Sequence, residues 1–74
     1  MEELTKNKID FLIALISEFA NAYQLTTADA YAYIRKYGGV EFFEKHYDVL
    51  HTESFYWMTK DMAEYCRNHG GYLL

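Results

Sequence analysis

The chain has no proline. Nothing in it therefore removes an amide donor from a helix or clashes with the preceding turn. Its four glycines fall in two adjacent pairs, Gly38–Gly39 and Gly70–Gly71, which leaves long stretches free for helix. A single cysteine, Cys66, rules out an internal disulfide. A small domain without covalent staples fits a reducing compartment, so a cytoplasmic location is expected. Positive charge is also scarce: seven Lys and Arg stand against eleven Asp and Glu, for a net charge of −4. Phosphate affinity comes from clustered basic residues, so direct contact with nucleic acid is not expected. The same deficit argues against an anionic membrane surface. No apolar run approaches the roughly 20 residues of a membrane span.

One apolar run does imitate a targeting signal. Lys6 and Lys8 precede "FLIALI" (Phe11 to Ile16), and "ANA" at Ala20–Ala22 has the form of a cleavage site. The run is shorter than a usual signal core. Asp10 sits directly before it, Glu18 lies between it and the cut, and Glu2 and Glu3 oppose the basic flank. Secretion is therefore not expected.

What the chain does contain is apolar and aromatic. Half of its 74 residues are hydrophobic, and eight Tyr, five Phe and one Trp make it dense in rings. That composition lies far from disorder. The length allows one core, so residues 1–74 are read as a single domain. Ile9, Leu12, Ile13, Ile16, Phe19 and Tyr23 recur at helical spacing, with Phe11 and Leu15 widening the stripe. A first helix over about Thr5 to Tyr23 follows, apolar on more than half its surface and hence central. "TADAYAYIRKYG" has a Thr cap and Asp29 at its start. It carries Arg35 and Lys36 at its end and Gly38 beyond, which predicts a second helix over Thr27 to Tyr37. Val40, Phe43, Tyr47 and Leu50 share the inner face of a third helix, Val40 to Leu50, flanked by Phe42, His46 and Val49. "HTESFYWMT" breaks the period and reads as a connector with room for one helical turn. Thr59 is positioned to cap a fourth helix, Lys60 to His69, with Met62, Tyr65, Cys66 and His69 inward. The fold class is all-α: a compact bundle of about four short helices.

The order of these segments resembles a known family. The apolar "KIDFLIALISEFA", the tyrosine-rich second helix ending in "KYG", the "YDVLHT" segment and a short last helix closed by glycine are similar to the bacterial proteins grouped as domain of unknown function 3791. The resemblance spans nearly the whole chain, and "YDVLHT" and "KYG" are its most specific parts. It implies a small bacterial cytoplasmic protein. Family members are often encoded beside toxin-like proteins, which implies an antitoxin-like or accessory role.

"YDVLHT" is the main candidate for chemistry. Asp48 and His51 lie about 60° apart on a helix, so the two side chains can meet as a carboxylate orienting an imidazole. The simpler reading is a helix end, with His51 capping free carbonyls between the core anchors Tyr47 and Leu50. No Ser, Cys or second acid is placed locally to complete a site. His46 and His51 diverge, and Cys66 with His69 makes only two ligands, so no metal is expected. Cys66 reads as a small core residue. No cofactor or small-molecule substrate is predicted. The second and third helices have the outline of a helix-turn-helix, but Glu41, Glu44 and Asp48 against Lys45 repel phosphate.

The aromatic residues point elsewhere. Tyr31 and Tyr33 lie about 160° apart on one short helix, and Phe55, Tyr56 and Trp57 are consecutive, so some of these rings must face solvent. Tyr31, Tyr33, Tyr56 and Trp57 are the candidate binding residues, for another protein or a second copy of this chain. The function expected is a protein-interaction module. The alternatives are a small enzyme using Asp48 and His51, and an atypical helix-turn-helix regulator.

Overall fold

The apolar stripe at the start of the chain forms a helix, but the buried face is rotated from the one expected. The computed structural model describes residues 6–71, so the expected start at Thr5 lies outside the described residues. Helix α1 (Lys6–Ala22) buries Leu12, Leu15, Ile16, Phe19 and Ala20. Ile13 is 57% exposed, and Ile9 is also largely open. The reason is that α1 packs most heavily on the second and last helices of the chain, and its buried arc lies between them. That arc centres on Phe19 and Leu12. Ile13 is about 160° from Leu15 around the helix and falls outside it. Leu15 is fully buried and Phe11 half-buried, on the edge of the arc that meets the later helices.

The chain leaves α1 through a left-handed residue, Gln24 (φ 55°), with the Leu25 N–H donating to the Ala20 carbonyl at 2.8 Å. This closes a Schellman-type turn. Helix α2 (Thr27–Lys36) then starts where the sequence said it would. The Thr26 hydroxyl accepts from the Asp29 N–H at 3.1 Å, with acid at the start and base at the end. Ala30 and Ile34 enter the core. Gly38 takes a left-handed conformation (φ 79°) that lets the chain reverse at once. At Gly39 a Cβ would come within 2.5 Å of Ile34 Cγ2 and 2.7 Å of Met62 Sδ, so only glycine lets the next helix approach this closely.

The expected third helix is two. Helix α3 (Gly39–Lys45) ends at His46, and a single turn, α4 (Tyr47–Leu50), follows. No glycine or proline marks the break, and the expected inner face survives it: Phe43 and Leu50 are buried, and Val40 and Tyr47 half-buried. The bend brings both Phe43 and Tyr47 onto Phe11 of α1, at ring-centroid distances of 6.3 and 5.8 Å.

The connector is the largest correction. Helix α5 (Phe55–Asn68) begins five residues before the expected Lys60, capped by Ser54, whose hydroxyl accepts from the Trp57 N–H at 3.4 Å. Thr59 is not a cap. It is buried mid-helix, and its hydroxyl donates to the Phe55 carbonyl at 2.6 Å. Met58, Met62 and Cys66 form the inner stripe of α5. His69 is exposed rather than inward: the helix is ending there, and its Nδ1 lies 2.8 Å from the Tyr65 carbonyl.

The result is all-α, with no strand among the described residues. Among the described residues, five of the twelve buried apolar ones come from α1, more than from any other helix. Helix α5 joins it to the rest by packing on both α1 and α3.

Ile16 is 8% exposed against 57% for Ile13. Ile16→Ala is therefore expected to cost about 2–5 kcal/mol, and Ile13→Ala less than about 1 kcal/mol. Urea unfolding of the two variants checks this. Equal losses would place the core on the wrong face of α1.

Candidate functional site

Three consecutive rings open α5, and the helix sends them in three directions. Phe55 turns inward and stacks on Phe11 at 5.4 Å with 29° between planes. Tyr56 and Trp57 turn outward, 62% and 56% exposed. They meet edge to face at 5.1 Å, and Lys60 Nζ sits over the Tyr56 ring at 5.1 Å. Beside them runs an open groove of about 530 Å³ between α1 and α5, lined by Glu18, Asn21, Ala22 and Tyr23 on one side and Phe55, Tyr56, Thr59 and Lys60 on the other. Its floor is aromatic and aliphatic, and its rim carries one charge of each sign.

The two tyrosines of α2 do not join this surface. Tyr33 is half-buried, stacks on Phe19 at 5.8 Å, and donates its hydroxyl to the Gly71 carbonyl at 2.9 Å. Burial is the main cause holding its phenol above the usual value, with Cys66 and then Tyr37 and Tyr23 adding to it and Arg67 opposing. Tyr33 thus ties the end of the chain to α2. Tyr31 is 42% exposed, but it lies about 160° round α2 from Tyr33 and so on the flank turned away from α5. Of the four candidate rings, only Tyr56 and Trp57 stand together.

"YDVLHT" is the α4 turn and its exit. Asp48 and His51 are both exposed. The His51 ring leans on Tyr47, 4.9 Å between centroids, and its backbone N–H donates to the Tyr47 carbonyl at 3.0 Å. The side chain that bonds a carbonyl at this helix end is not His51 but Thr52, whose hydroxyl donates to Val49 O at 2.7 Å beside its own backbone N–H at 3.1 Å. Tyr47 itself lies between Phe11, Phe43 and His51, with Lys8 Nζ 5.3 Å from its centroid. The segment anchors a helix turn onto α1, and neither Asp48 nor His51 borders the groove.

Cys66 is fully buried, and burial pushes its thiol up to about 11. A thiol held protonated in an apolar setting is a poor nucleophile. Among the described residues no group of three His, Cys, Asp or Glu side chains is placed to hold a metal, and no helix is long and apolar enough to cross a membrane.

Residues 10–69 match the family described as "Protein of unknown function (DUF3791)", and the chain belongs to that family. No curated protein and no solved structure matches it.

Two measurements follow from this geometry. Cys66 is expected to resist a thiol-specific disulfide reagent at pH 8 until the protein unfolds; rapid labelling of the native state would contradict its burial. Asp48→Asn and His51→Gln are expected to change stability by no more than about 0.5 kcal/mol, a shift of about 2–4 °C in melting temperature. A larger loss would show that the exposed pair is needed by the fold.

Proposed function

We propose that this domain is a protein-interaction module, an antitoxin-like or accessory partner of a neighbouring toxin-like protein in the bacterial cytoplasm. The observation that carries the reading is the exposure of Tyr56 and Trp57, side by side, on the first turn of a helix whose inner side is fixed in the core. A domain this short needs apolar burial, and leaving two of its largest side chains in water forgoes it. Rings of this kind dominate interface energetics, because they bring a large contact area with a polar tip and little conformational freedom to lose. The groove alongside offers a concave site for a partner's side chain.

The enzyme reading has less behind it. Asp48 and His51 sit on exposed turns, and His51 rests on a tyrosine ring. A regulator contacting DNA through α3 has Glu41 and Glu44 against Lys45 on that helix, the wrong balance for phosphate.

The test is binding to the product of the adjacent gene, followed by calorimetry, with light scattering of the chain alone as a check for self-association. A complex is expected, and Trp57→Ala or Tyr56→Ala is expected to weaken it by at least about 2 kcal/mol, some thirtyfold, while the melting curve is retained. If neither complex nor oligomer forms, or if both substitutions are silent, the reading fails.

A further inference from the structure

The outward face of α5 is a stripe that no other helix covers. Trp57, Asp61, Glu64 and Asn68 follow at i, i+4, i+7 and i+11, within about 60° of one another around the axis. Trp57, Glu64 and Asn68 are exposed and Asp61 is half-buried. Beside the stripe lies a recess of about 240 Å³. Its lining joins Asp61, Glu64 and Asn68 to the rings of Phe42 and Tyr65, which stack on each other at 4.4 Å, while His69 stacks on Tyr65 at 4.1 Å and His46 leans on Phe42 at 5.0 Å. The ring faces are thus taken up within one column, and what the stripe presents outward is the Trp57 indole and the carboxylates.

The negative charge there has no cation of its own helix among it. The two cations within α5 are occupied on the other flank: Lys60 lies over the Tyr56 ring, and Arg67 lines a small cavity with Tyr23 and Tyr33. Glu53, just before the helix, adds a third carboxyl. Partial desolvation, and then the nearby Asp61 carboxylate, hold its protonation above the usual range. Carboxylates that crowd one another beside an exposed indole form a face that a cation would relieve.

We propose that this face docks an arginine-bearing basic segment of another protein, with a guanidinium between Asp61 and Glu64 and the rest of the segment against the exposed Trp57 indole. The proposal names the partner chemistry for the interaction module above and rests on that reading. A guanidinium fits because it pairs with carboxylates through fixed donors and, on the same stripe, can lie against the exposed Trp57 indole. A second copy of this chain fits poorly. A two-fold contact through the same stripe would set Asp61 and Glu64 against their own counterparts, and the chain as a whole carries −4.

The experiment selects a displayed random dodecapeptide library against the immobilised full chain. The enriched peptides are then titrated while the emission of Trp57, the chain's single tryptophan, is read. Arginine-containing, net-positive peptides are expected, and they should shift the Trp57 emission to the blue. Their affinity should fall on the order of tenfold from about 0.05 to about 0.5 M salt. Asp61→Asn combined with Glu64→Gln should weaken binding to a similar degree. Removing Asp61 also relieves Glu53, so the melting temperature should hold or rise, which separates lost binding from lost fold. Neutral or acidic peptides that shift Trp57 and ignore both salt and the double substitution would overturn the basic-partner inference and leave the interaction module standing. Binding that leaves Trp57 emission unchanged would overturn the stripe. No enrichment above bare support would overturn the interaction reading itself.

Discussion

Successive side chains on an α-helix are turned by about 100°, and the exposed aromatic surface of this protein depends on that step. Once Ser54 starts α5, Phe55, Tyr56 and Trp57 cannot all enter one core. Phe55 enters and meets Phe11; the other two are left outside. Phe11 is the fixed point of the arrangement. Its ring touches Phe43, Tyr47 and Phe55, so a single residue of α1 registers α3, α4 and α5 together.

This registration gives α5 three distinct longitudinal faces. The inner one, Met58, Met62 and Cys66, completes the core and makes Cys66 chemically quiet. The flank toward α1 and α2 carries Tyr56, Lys60, Ala63 and Arg67 along two cavities. The outward face carries Trp57 and the carboxylates. A partner meeting rings already held in place by a packed helix loses less conformational freedom than one that must order a loop, so the same packing that stabilises the fold lowers the cost of association. The helices are short, and their ends do much of the holding. Thr26, Gly38 and Thr52 each settle one chain reversal or terminus, and the Tyr33 hydroxyl fastens Gly71 across 38 residues of sequence.

Much of this was legible in the residues. The all-α class, the extent of α2 and its cap, and the inner face of α3 and α4 follow from periodicity and end signals, because those are local physics. What was not legible depended on neighbours. Ile13 and Leu15 are equally apolar, and only the positions of α2 and α5 decide which is buried. The break at His46 has no glycine or proline to announce it. The start of α5 was hidden by two competing caps: Ser54 and Thr59 are both good candidates, and three bulky rings between them disguised the first turn of the helix. In the site, the argument that consecutive rings must diverge held for Tyr56 and Trp57. It gave no way to see that Tyr33 would be drawn inward by a hydrogen bond to Gly71, or that Tyr31 would fall on a separate flank.

The exposed surface exists only if α5 begins before its three rings and leaves the indole in water. Acrylamide quenching of Trp57 in the isolated protein tests it most directly. The emission maximum and the quenching constant are expected to lie close to those of a free tryptophan amide, and to move only slightly further toward them on unfolding. A blue-shifted emission that acrylamide scarcely quenches would mean that the rings fold over the core as a lid, and that the surface described here does not exist.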